Sequence, residues 1–145
     1  MTIKTQRARR VLMDAIAALD KFNQLPVDVD FRHLVVLCCT LIRSVGHVVE
    51  AENAKELSDQ QKVSSYYNSN IKDVLLFKNF IKGTRDNVLK EYAAYIGWSS
   101  ITDLNNNHHM EYLVKEGEYK DEDFRNLMSK AIEFWEHHLA KIDKL

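Results

Sequence analysis

Three stretches of the chain repeat apolar side chains with the period of an α-helix, and this constrains the fold more than any other feature. Over residues 4–23, Val11 and Leu12, Ala15 and Ile16, and Leu19 recur every three or four positions, which sets them on one helical face. From Phe31 to about Asn53 the stripe widens to Leu34, Val35, Leu37, Cys38, Leu41, Ile42, Val45, Val48 and Val49, the pattern of a helix buried on more than one side. Over Asp121 to Leu145 the same period carries Phe124, Leu127, Met128, Ala131, Phe134, Trp135, Leu139 and Ile142. Apolar helical faces are stable when buried against one another. Four glycines and one proline in 145 residues are too few for an all-β fold rich in tight turns.

Between these helices the signals are weaker. Leu25-Pro26 reads as a connector, after which Asp28 or Asp30 can cap the second helix. The run SDQQKVSSYYNSN, residues 58–70, is rich in Ser, Asn and Gln and reads as a long, mobile connection. A helix over Asp73 to Lys82 is expected to bury Val74, Leu75, Phe77, Phe80 and Ile81. Gly83 then breaks it, and a further helix runs from about Thr84 to Tyr95. Residues 97–123 carry turn signals at Asn105–Asn107 and Gly117 around the apolar MEYLV, which suits a short hairpin. The expectation is one all-α domain over 1–145, a bundle of four to five helices with a polar insertion before the last.

A formal net charge of −1 gives no global pull toward nucleic acid or membrane, so any such contact needs a local patch. Cys38 and Cys39 are neighbours on a helix, point about 100° apart and cannot readily bridge. With no CxxC pair or disulfide framework, a cytoplasmic setting is expected. The basic start MTIKTQRARR is followed by an apolar stretch interrupted by Asp14, unlike a secretion signal. The longest apolar run, Leu34 to Cys39, is too short to span a bilayer, and no membrane contact is expected.

Polar groups placed against this apolar pattern mark where chemistry can sit. Thr40, Arg43, His47 and Glu50 form one stripe on the second helix. A cation, an imidazole and a carboxylate there either face solvent and pair locally or line a polar cleft in which His47 moves protons. In FIKGTRDNVLKEY, residues 80–92, Arg85 beside a helix start at Thr84 suggests an anion site built on free backbone N–H groups. His137 and His138 follow Glu133 by a turn, and His108 and His109 sit in the insertion; neither set has the spacing of a metal centre. Tyr66, Tyr67 and Trp98 offer stacking surfaces for bases, whereas Trp135 lies in a core stripe. No GxSxG elbow or Gly-rich phosphate loop is present, and no metal or cofactor is expected.

An all-α bundle with R-D-N-V-L-K-E-Y in a late helix resembles the HEPN superfamily of small helical domains. Its signature is an Arg, often with a polar residue such as Asn after it, then a His after four to six residues. HepT-like members add a Tyr two positions beyond the His. On that pattern Arg85 matches the Arg, Asn87 is polar and Tyr92 matches the Tyr, but Lys90 stands where the His belongs. I-R-S-V-G-H followed by R-D-N-V-L-K-E-Y also resembles a group of bacterial proteins with no assigned activity. The resemblance implies a homodimer in a toxin–antitoxin or defence context that binds RNA, a nucleotide or a cognate protein through Arg43, His47, Glu50, Arg85, Asn87, Lys90 and Tyr92. Lysine holds its proton near neutral pH, which points to a non-catalytic module. The alternatives are a metal-independent ribonuclease rewired around His47 and Arg85, with His47 as acid or base, and an unrelated structural or interaction dimer.

Overall fold

In the computed structural model, residues 3–26, 30–86, 96–102 and 104–145 are described, with the backbone alone at 98–100, 108 and 109. The elements run α1 (Gln6–Asn23), α2 (Arg32–Glu52), α3 (Leu57–Asn70), α4 (Leu76–Lys82), β1 (Ile96–Thr102), β2 (His108–Val114) and α5 (Phe124–Ile142). This is the expected mostly-α bundle, and the polar insertion does form an antiparallel hairpin, with Ile96 opposite Val114 and Thr102 opposite His108.

The helix-period residues build the core. α1 contributes Ala8, Leu12, Ala15, Leu19 and Phe22, and α5 contributes Phe124, Leu127, Met128, Ala131, Trp135, Leu139 and Ile142. α2 lies between them, burying Leu34, Val35, Cys38, Cys39, Ile42, Val45 and Val49. By length and composition α2 alone among the described helices could cross a membrane; here its buried apolar residues belong to the shared core. Burial drives the Cys38 thiol up to about 12 and the Cys39 thiol higher still, so both behave as small apolar groups. At the hairpin end, Tyr112 of β2 meets Phe22 and Phe31 edge-on with centroids 4.6 and 4.8 Å away, which anchors the insertion to the bundle.

Gly46 explains how closely α5 approaches α2. A Cβ there would lie 3.1 Å from the Trp135 ring, and the Trp135 indole N–H donates to the Ile42 carbonyl one turn earlier at 2.8 Å. A mid-helix glycine, which costs about 1 kcal/mol relative to alanine, is retained where the ring needs the space.

Three expectations are corrected. Residues 58–70 form helix α3 instead of a mobile connection. Asp59, Val63, Tyr67 and Ile71 recur every fourth residue, and three of them are at most 8% exposed. Ser, Gln and Asn each lower helix propensity by well under about 1 kcal/mol, so this one stripe suffices to hold the helix. Gly83 does not break the chain: its φ of −63° and ψ of −45° are helical, and residues 83–86 continue from α4. α4 itself is a π-helix; its wider winding brings the Lys78 carbonyl to 3.1 Å from where a Gly83 Cβ would sit. Finally, Leu37, Val74 and Leu75, expected in the core, are 43%, 38% and 57% exposed. Leu37 sits on the flank of α2 away from the Ile42–Gly46 contact, and Val74 and Leu75 precede the packed part of α4.

The N-cap of α2 is Phe31, with no side-chain cap of its own, so the capping expected of Asp30 is not made at that position; Asp30, one residue earlier, accepts the Arg32 N–H at 3.0 Å. Asp28 lies outside the described residues.

Candidate functional site

The polar stripe of α2 forms one wall of the site. Thr40, His47 and Glu50 are exposed, whereas Arg43 is half-buried. Arg43 lies where α2, α3 and α4 converge. Its guanidinium sits over the ring of Phe77 from α4, 5.2 Å from the centroid, and one of its terminal nitrogens lies 3.4 Å from the Cβ position of Gly46. Phe77 is fully buried and is met edge-on by Tyr67 of α3 at 5.6 Å. An aromatic face attracts a guanidinium by about 1 kcal/mol, but it accepts no N–H hydrogen bond of ordinary strength. The Arg43 Nε is accordingly buried without a hydrogen-bond partner. The local pairing of Arg43 with Glu50 that the stripe suggests is not made among the described residues.

The helical residues that follow α4 contribute the next charged pair. Arg85 and Asp86 are half-buried and pair at 3.3 Å. Both are close enough to act electrostatically on Arg43 and His47, as is Glu50. His47 and Arg85 therefore lie on the same side of the bundle. Because residues 83–86 continue the helix of α4, no free helix start exists at Thr84, and the anion site expected from backbone N–H groups there is not formed. Asn87, Lys90 and Tyr92 lie outside the described residues.

Two guanidiniums, Arg43 and Arg85, and two carboxylates, Asp86 and Glu50, act on one another and on His47 in this corner. Burial, and then Arg85, work against the charge on Arg43, yet a guanidinium stays protonated. The protein packed around His47, and then Arg43, push its pKa below the ordinary histidine value, so the ring is neutral at pH 7 and its nitrogens can accept or pass on a proton. Burial raises the Tyr67 hydroxyl, which keeps it a donor. Asp86 pairs with Arg85, and Arg43 makes no direct ion pair, although Asp86 and Glu50 both act on its charge.

Asp86 was not among the expected site residues; Tyr67 was expected as a stacking surface for bases, and here its ring meets Phe77. Its place beside Arg43 was not foreseen because its segment read as a connector, although the four-residue spacing from Asp59 to Ile71 carried the signal. The remaining candidates lie away from this corner or outside the described side chains. Trp135 is fully buried in the core. His138 is half-buried, shares a 2.7 Å hydrogen bond with the Tyr66 hydroxyl and packs against Phe134 at 4.4 Å. His137 is exposed beside it. The side chains of Trp98, His108 and His109 lie outside those described. Compared with protein-family models, curated proteins and solved structures, the chain matches none.

Proposed function

We propose that this chain is a HEPN-like helical module that binds a phosphate group of RNA or of a nucleotide at the Arg43 corner without cleaving it. The observation that carries the reading is the half-buried guanidinium of Arg43, stacked on Phe77 beside Arg85 with its Nε unpartnered. A buried donor left unsatisfied costs about 1–3 kcal/mol, and an oxyanion from outside would relieve that cost. Tyr67, a hydroxyl donor on an aromatic ring, borders the same space. Homodimer formation, a cognate protein partner and a toxin–antitoxin or defence setting remain implications of the resemblance. Lys90 in place of the motif His supports binding over cleavage.

The test is equilibrium binding of a labelled single-stranded RNA across a salt series, with Arg43→Met and Arg85→Gln beside wild type. Each variant is expected to weaken binding about tenfold and to flatten the slope of log K against log salt by about 0.7. Wild-type affinity in both variants would sink the reading; capture of an acidic peptide in place of RNA would redirect it to a protein partner.

One observation favours the rewired ribonuclease as a second reading. His47, neutral at pH 7, lies on the same side of the bundle as Arg85. His47 would take the 2′-hydroxyl proton as that oxygen bonds to phosphorus and the P–O5′ bond breaks, leaving a 2′,3′-cyclic phosphate; the departing 5′-oxygen takes a proton from water while Arg85 stabilises the charge developing on the phosphoryl oxygens. RNA incubated with the protein in a chelator should then be cut by wild type and spared by His47→Ala and by Arg85→Ala. Cutting that survives both changes is contamination.

A further inference from the structure

The start of α1 borders a second charged corner, built from elements that do not line the first. A cavity of about 480 Å³ lies between this start, the end of α2 and the residue following α5. Its charged lining is Lys4, Arg7, Arg9 and Lys55 against Glu52 and Asp143, four cations and two carboxylates, a formal +2 within a chain of −1.

Both carboxylates are already engaged. α1 has no side-chain cap of its own at Thr5, and Glu52 replaces it from α2, accepting the Arg7 N–H at 3.1 Å and the Ala8 N–H at 3.0 Å. Asp143 accepts from the Thr5 hydroxyl and from the Arg9 guanidinium. The side chains of Lys4, Arg7 and Lys55 have no carboxylate within ion-pair distance among the described residues. Like charges gathered on one cavity repel, and concave walls concentrate their field.

We infer that this cavity binds a phosphate group. Three separate, unpaired cations suit a group with two or more negative charges and several acceptor oxygens, whereas a single carboxylate would leave the corner positive. The volume suits a small phosphorylated molecule. The same chemistry is met by a phosphodiester of a strand passing over α1.

Calorimetric titration of the full chain at low salt with inorganic pyrophosphate, with 5′-AMP and with an unphosphorylated single-stranded oligonucleotide tests this. The Arg7→Gln/Lys55→Gln double variant changes exposed side chains and leaves the Glu52 cap intact, and its melting curve checks the fold. Pyrophosphate is expected to bind wild type and to bind the double variant about tenfold more weakly, a loss of the same size when Arg43→Met is already in place. Loss for pyrophosphate and 5′-AMP assigns a small phosphorylated ligand; loss confined to the oligonucleotide assigns a strand. Equal affinity in the double variant for all three probes, or loss only in Arg43→Met, overturns the inference. Because the variants separate the two corners, failure here leaves the Arg43 reading standing, and the reverse.

Discussion

α2 presents two faces whose polar groups are treated in opposite ways. Toward α1 and α5, several polar groups find partners within the fold. The Trp135 indole bonds the Ile42 carbonyl, Asn53 bonds the Lys4 N–H, the Lys4 carbonyl and the Val49 carbonyl at 2.7–2.8 Å, and Glu52 closes the start of α1. Toward α3 and α4, Arg43 is stacked on Phe77 and its Nε has no partner. The first arrangement satisfies the polar groups it buries; the second leaves a buried donor unmet.

The comparison is broken most severely from its satisfied side. Trp135→Ala is expected to cost about 3–5 kcal/mol in chemical denaturation, since it empties the α2–α5 contact and removes an indole hydrogen bond. A loss below about 1 kcal/mol would mean that this face is not the rigid one.

Gly46→Ala comes next. Helix propensity alone predicts a gain of about 1 kcal/mol, but the new Cβ meets the Trp135 ring at 3.1 Å. A net loss of about 1–2 kcal/mol is expected, and a stabilised protein would show that α5 can shift.

On the unsatisfied side, Arg43→Met should leave the melting temperature unchanged or raise it by a few degrees, because a buried unpartnered donor is replaced by a flexible apolar chain. A marked fall in melting temperature would make Arg43 a structural residue and end its comparison with Trp135.

The smallest effect is a dependence on pH. Packing pushes both His47 and His138 below the ordinary histidine value, with Arg43 adding to the first and His137 to the second. The unfolded chain therefore binds protons first as pH falls. Stability is complete above the unfolded value of about 6.5 and declines as pH drops through it toward the folded values. Replacing both, His47→Gln with His138→Gln, should flatten denaturation midpoints between pH 7 and 5. An unchanged slope would assign the dependence elsewhere.

How much was legible follows from where the signal resides. α1, α2 and α5 announced themselves because each carries an apolar stripe long enough to establish a period, and the hairpin because turn residues bracket MEYLV. α3 did not, since its stripe holds one aliphatic residue, Val63, within the SDQQKVSSYYNSN run, and its other contacts come from Asp59 and Tyr67. Gly83 was read as a break because glycine lacks helix propensity. Its place next to the Lys78 carbonyl depends on π winding that no local pattern encodes. Of the site, Arg43, His47 and Glu50 were visible as polar intrusions on one apolar helix, whereas Tyr67 arrives from a segment that offers little period of its own.

The chain alone determined that apolar helical faces must pack and that Arg43 and His47 share a side of α2, because side-chain direction follows helical period. Tertiary structure decided what those groups meet. It placed Phe77 under Arg43, Arg85 near both, and Glu52 at the start of α1. These contacts join residues tens of positions apart, and packing geometry, which local periodicity does not contain, selects them.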